Sequence, residues 1–180
     1  DDGPIPEVTD FVLDTLKQQD AKATFFCVGD NVRKHPHIFK RILQEQHRIG
    51  NHTFNHLNGW STSTETYIDN VLQCENALKE AIGGKDSPKK SLFRPPYGRI
   101  KKQQWQALLP QYDIIMWDVL SGDFDRSILK EICLAKTIKY TQKGSIIVFH
   151  DNLKAVENMY YALPRFIAHF KQKGWSFEAL

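Results

Sequence analysis

Apolar residues recur along this chain in two alternating rhythms. The stretch "EVTDFVLDTLKQQD" places Val8, Phe11, Val12 and Leu16 on one face at helical spacing. The run "KATFFCVG" is continuous and short, as expected of a strand buried on both sides, and Gly29 closes it. A helix beginning at Pro36 follows, with Phe39, Ile42 and Leu43 facing inward. "HRIGNH" reads as a short strand. "TSTE" at Thr62 to Glu65 has capping-box spacing ahead of a helix through Ile68, Val71, Leu72, Leu78 and Ile82, stopped by Gly83 and Gly84. The rhythm then repeats: strand "SLF", helix "IKKQQWQALL", strand "DIIMW", helix "SILKEICLAKTIKY" and strand "GSIIVFH". A last helix runs from about Leu153 to Gln172, and "WSFEAL" is a candidate final strand.

Repeating βα units predict an α/β fold with a parallel sheet and helices outside it, as an open sheet or a barrel. In either form the chemistry belongs at the carboxyl ends of the strands. The polar clusters fall there: "NHTFNH" after "HRIG", "RPPYG" after "SLF", "WDVLSGD" after "DIIM" and "HD" after "IIVF". Polar residues scattered over a surface would not favour one end of every strand.

Composition narrows the classes. The 180 residues suit one domain, 1–180, with no linker or low-complexity segment. Hydrophobic residues make up 41% and charged residues 25%, values of a globular chain. A net charge of +3 without a dense basic block gives nucleic-acid binding little support. No apolar run reaches the roughly 20 residues of a membrane-spanning helix. Cys27, Cys74 and Cys133 match no metal or redox spacing and read as small buried hydrophobes. No signal peptide is visible, which leaves a cytoplasmic and a cell-envelope location both open. The abrupt start at "DDGP" leads us to expect further natural sequence upstream of Asp1.

His52 and His56 are four residues apart, so a helical turn would point both rings at one ion. By itself this spacing is common among ordinary histidines. A third ligand would come from "DDGP", where Asp1 and Asp2 precede a Gly3-Pro4 turn. Neighbouring side chains on an extended backbone point apart, so one carboxylate is expected to ligate and the other to take a proton. Arg94 sits on a stiff extended backbone before Pro95 and Pro96, suited to orienting a carboxylate. His150 is a candidate general acid. Asp118 and Asp123 flank "VLSG" after a strand, each a candidate partner or a plain loop cap. His35, His37, His47 and His169 read as surface or helix residues.

In order, "DDGP", "HTFNH", "RPPYG", "WDVLSGD" and "FHD" resemble the five motifs of the polysaccharide deacetylase family, also called carbohydrate esterase family 4 or the NodB-homology domain. The resemblance spans Asp1 to about Asp151. It implies a distorted (β/α)7 barrel, here with the first strand expected upstream of Asp1. It also implies the roles: Asp1 as general base, Asp2, His52 and His56 as ligands of one divalent ion, zinc being expected, and Arg94 orienting the base. Tyr97 is implied to hold the oxyanion through its backbone N–H, and His150 to be the general acid. The fourth motif departs from the family's D-x-x-D-W pattern. Its first Asp falls on Leu120, its second on Asp123 and its Trp on Phe124. Asp123 inherits the task of partnering Arg94 or His150, and Asp118 is a candidate substitute for the missing Asp. The implied reaction is removal of N-acetyl groups from sugars of a polysaccharide such as peptidoglycan or chitin, releasing acetate. Two other readings stay open: a metal-dependent amidase acting on a small non-sugar amide, and a non-catalytic carbohydrate-binding domain.

Overall fold

The computed structural model describes residues 1–84 and 90–180. Helix α1 (Val8–Gln18) leads to strand β1 (Thr24–Cys27), then α2 (Gly29–Lys34), α3 (Pro36–Gln44) and β2 (Arg48–Asn51). The long helix α4 (Thr64–Ala81) precedes β3 (Ser91–Phe93), followed by α5 (Lys102–Leu108), β4 (Tyr112–Ile114) and β5 (Val119–Leu120). The chain continues through α6 (Lys130–Tyr140), β6 (Ile147–Val148) and α7 (Val156–Lys171). Strands β1, β2, β3 and β4 pair in that order and β5 pairs with β6, all in parallel.

The N-terminal residues bridge these two sheets. Asp2 N–H donates to Phe26 O and Val28 N–H to Gly3 O, which ties residues 1–3 to the end of β1. On the other side the Asp1 nitrogen donates to Phe149 O and Asp151 N–H to Asp1 O, which ties them to the end of β6. Asp1 to Gly3 therefore occupy a strand position between β1 and β6, and the parallel strands close toward the ring expected from the family. Beside this short segment, a largely apolar cavity of about 470 Å³ runs between β1 and β6, lined by Phe25, Ile147, Leu163, Phe166 and Phe177 among others.

The main core lies between the sheet and helices α1, α3 and α7. Leu13, Phe39, Ile42, Met159 and Phe166 are fully enclosed there. A smaller cluster of Tyr67, Val71, Phe93, Leu108 and Tyr112 joins α4 and α5 to β3 and β4. All three cysteines are free and buried, as expected, and burial raises each thiol pKa.

Four local expectations change. "WSFEAL" is not a strand; it passes the start of β1 with one backbone bond, Lys22 N–H to Phe177 O. The cap of α4 is Ser63, whose Oγ accepts Thr66 N–H, one residue later than the capping box suggests. His47 is buried against Phe25 rather than exposed, because its ring fills the turn between α3 and β2. Asp118, a candidate for the missing motif carboxylate, is exposed and instead caps Ile146 N–H at 2.7 Å, pinning β5 to the entry of β6.

Candidate metal centre and active site

The stretch from Asn51 to His56 leaves β2 as an irregular loop, not the helical turn that the i, i+4 spacing suggests. Thr53 and His56 adopt positive φ values of 62° and 56°. Side chains from neighbouring elements hold this conformation. Asn51 Oδ1 accepts Thr53 N–H, and Asn51 Nδ2 donates to Val71 O on α4. Asn70 Oδ1 accepts both Phe54 N–H and Asn55 N–H, while its Nδ2 donates to Asn55 Oδ1. Thr53 Oγ1 accepts Leu57 N–H. The loop's polar backbone is thus satisfied without helix, and both imidazoles turn toward residues 1–3.

The rings converge on one carboxylate oxygen. Asp2 Oδ1 lies 3.0 Å from His56 Nε2 and 3.4 Å from His52 Nε2. Atoms bound about 2.0–2.2 Å from one tetrahedral ion are roughly 3.3–3.6 Å apart; the His52 separation falls in that range and the His56 separation a few tenths of an ångström short of it, close enough for a small shift to seat a shared cation. Among the described residues this is the group whose donor atoms cluster as metal ligands do. The hydrogen-bonding pattern also fits. His52 Nδ1 is 2.7 Å from Arg94 O, a carbonyl that can only accept, so Nδ1 carries the proton and Nε2 presents a lone pair. His56 Nδ1 is 3.1 Å from Tyr97 Oη, and donation to that oxygen leaves its Nε2 free in the same way. Asp2 Oδ1 is buried with no hydrogen-bond partner, whereas Oδ2 accepts Asn152 Nδ2 at 2.5 Å. A buried carboxylate oxygen facing two imidazole lone pairs is costly unless a cation lies between them.

Charge states agree with this arrangement. Burial lowers His52 to about 4, against the raising effect of Asp2, so its ring is neutral at pH 7. Burial pushes the Asp2 carboxyl up, but His52 and His56 outweigh it and hold the group well below the usual carboxylate range. An anionic oxygen and a neutral imidazole are the ligand forms of both groups.

Asp1 turns its carboxylate to Arg94 and Asp2 turns its own to the histidines, and this division comes from a positive φ of 86° at Asp2 rather than from the alternation of an extended backbone. Asp1 Oδ1 accepts Arg94 Nη1 at 2.8 Å. Arg94 is 3% exposed, donates through Nε to Ile115 O and through Nη2 to Met116 O, and lies over the Phe26 ring at 4.1 Å. Burial lowers its pKa to about 10, which leaves it charged at neutral pH. His150 stands on the other wall. Its Nδ1 is 2.7 Å from Asp123 Oδ1, and its backbone N–H donates to Asp123 Oδ2 at 2.7 Å. Asp123 is 0% exposed, so it partners His150 and not Arg94. Phe124 packs edge-on against the His150 ring, 5.0 Å between centroids.

Several contributors escaped the sequence reading. Asp151 accepts Gly3 N–H at 2.9 Å and Thr9 Oγ at 2.7 Å, which fixes the turn carrying Asp1 and Asp2. Gly3 is required there, because a Cβ would fall 1.9 Å from Asp151 Oδ2. Asn31 Nδ2 holds Asp2 O, and Asn158 Nδ2 holds Asp123 O. Asp151 was within reach of motif reading, since it follows His150 directly; the asparagines carry no spacing signal. Tyr97 is exposed at φ 60°, on a turn whose bonds run from Gly98 N–H to Pro95 O and Arg99 N–H to Pro96 O, so its own N–H takes no part in them.

Asp1, Asp2, His52, His56, Tyr97 and His150 line one groove of about 640 Å³, together with Val148, Leu120 and Phe124. A polysaccharide deacetylase profile matches residues 1–110. The chain is 35% identical to a peptidoglycan-N-acetylglucosamine deacetylase of Bacillus cereus, an alignment covering 100% of this chain and 64% of the relative. Chitin deacetylase 2 of Saccharomyces cerevisiae is 31% identical, over 93% of this chain and 53% of the relative. This chain thus spans less than two thirds of the length of either relative. A crystal structure of a peptidoglycan N-acetylglucosamine deacetylase in complex with a naphthalenyl N-oxidanyl-benzamide superposes with a TM-score of 0.89 at 34% identity, covering 99% of this chain and 82% of that one.

Proposed function

The chain belongs to the polysaccharide deacetylase family, and from that premise we propose that it is a metal-dependent hydrolase removing N-acetyl groups from a polysaccharide and releasing acetate. The observation that carries this reading is the convergence of Asp2, His52 and His56 on one point, in a groove also lined by Asp1 and His150. The two histidines and the carboxylate suit zinc, which we propose as the ion. Bound there, a divalent ion supplies Lewis acidity toward the acetamide carbonyl and increases the acidity of water.

The protein's own groups account for the proton traffic. Asp1, oriented by Arg94, takes a proton from the attacking water. The free Tyr97 N–H is offered to the oxygen that gains charge as the acetamide carbon becomes tetrahedral. His150, whose Nδ1–H is committed to Asp123, donates from Nε2 to the departing nitrogen. The C–N bond breaks, giving acetate and a free amino sugar. Val148 is buried on the groove wall, where it suits the acetyl methyl. We assign residues 1–180 to a single catalytic domain.

Zinc-reconstituted protein incubated with a panel of N-acetylated glycans and small amides tests the reading. Acetate is expected from the glycans, and none after chelation. Turnover of the small amides alone would point to the amidase alternative and overturn it.

A further inference from the structure

Trp60 is 61% exposed, yet the backbone that carries it is tightly fixed. It lies in a single 3-10 turn, Gly59–Ser61, capped by Asn58, whose Oδ1 accepts Trp60 N–H at 3.0 Å. Gly59 N–H donates to Arg99 O, and Gln104, 0% exposed, donates from Nε2 to Gly59 O. A Cβ at Gly59 would meet Arg99 O at 2.4 Å, so only glycine lets the two segments approach this closely. Lys101 Nζ is committed to Thr62 O in the same junction. A large aromatic ring is thereby held in solvent on a rigid support.

Its neighbour is a guanidinium. The Arg99 side chain lies over the Trp60 ring at 5.1 Å and lines the catalytic groove beside Tyr97 and His56. Among the described residues Arg99 makes no ion pair, unlike Arg33, Arg41 and Arg94. The groove's centre presents carboxylates already engaged by Arg94 and by the histidines. Among the described residues no carboxylate pairs with this exposed cation of the groove.

We infer that Trp60 and Arg99 form a sugar subsite next to the reacting residue, in which the indole stacks on a pyranose and the guanidinium receives a carboxylate carried by the glycan. An apolar face of a sugar ring suits an immobilised aromatic surface. A planar guanidinium with free donors suits a carboxylate. The favoured substrate is therefore an acidic glycan with free carboxylates along its backbone, as the lactyl groups of muramic acid provide where they carry no peptide, rather than neutral chitin. This inference rests on the deacetylase reading above.

The test compares two probes with the zinc-loaded chain: chitotetraose, and an N-acetylglucosamine–N-acetylmuramic acid tetrasaccharide with free lactyl carboxylates. Binding and acetate release are measured separately. Arg99→Gln is expected to weaken binding of the acidic probe about tenfold and to leave chitotetraose unchanged, the difference shrinking at high salt. Trp60→Ala is expected to weaken both probes about five- to tenfold, through KM and not kcat. Equal effects of Arg99→Gln on both probes, or none on either, would overturn the subsite while leaving acetate release intact. Selective binding without any acetate release would instead keep the subsite and remove the deacetylase reading.

Discussion

His52 and His56 owe their chemistry to what sits behind them. Each Nδ1 has an oxygen partner, Arg94 O or Tyr97 Oη, which turns Nε2 toward Asp2. The double substitution His52→Ala, His56→Ala should abolish the rise in melting temperature produced by zinc and lower acetate release by about 10³-fold or more. Calorimetric zinc titration and a coupled acetate assay check both. Asp123 acts one step further from the substrate. Its carboxylate accepts from His150 Nδ1 and from His150 N–H, so Asp123→Asn removes the group that fixes the proton on Nδ1. We expect kcat to fall by about 10³-fold with KM and zinc affinity nearly unchanged, by analogy with other His–Asp pairs in hydrolases. Equal losses in zinc affinity and kcat would mean that the substitution had disturbed the whole site.

At the scale of elements, the metal loop is held by a helix that contributes no ligand. Helix α4 supplies Asn70, whose Oδ1 takes two loop N–H groups and whose Nδ2 takes Asn55. Asn70→Ala leaves Asn55 N–H without its acceptor and removes the bond to Asn55 Oδ1, a loss of about 1–3 kcal/mol, while Phe54 N–H keeps the Asn70 backbone carbonyl. Freed of this clamp, His56 should bind zinc about 10–100-fold more weakly, as when other supporting groups around a metal are removed. Urea unfolding and zinc titration on the same variant read the two effects. The alternation of strands and helices was clear in the sequence because each element carries its own periodicity. The lengths were not: "GSIIVFH" reduces to Ile147–Val148 in β6, since pairing ends where Asp123 and residues 1–3 take over its backbone groups.

For the molecule as a whole, residues 1–3 bridge β1 and β6, which sets Asp2 beside His52 and His56 and Asp1 beside Arg94 in the groove that His150 also lines. Stability should respond to pH through groups outside the site as well. His47 is buried, its Nδ1 accepts Ala23 N–H, and burial lowers its pKa below the ordinary 6.5. The fold favours the neutral ring, so the unfolded chain gains the proton first as pH drops. The contribution of His47 to stability is therefore fully present above about pH 6.5 and declines below it. His47→Asn keeps an acceptor for Ala23 and removes the titration. Its urea midpoint should depend less steeply on pH below about 6.5 than that of the unaltered chain.

The alternating apolar patterns sufficed for the parallel α/β architecture, because each element carries its own periodicity. The order of the motifs sufficed for the family resemblance, which named Asp1, Asp2, His52, His56, Arg94, Asp123 and His150 as candidates. Tertiary structure decided which partner each one takes. Asp123 meets His150 because the end of β6 passes it, and Asp118 cannot, because it faces Ile146. The His52 and His56 rings converge through a loop with positive φ, clamped from α4, where spacing alone suggests a helix. Trp60 and Arg99 come together through a glycine contact between segments 40 residues apart in the chain. Contacts of that kind depend on how the sheet closes, and closure is a property of all the elements packed at once.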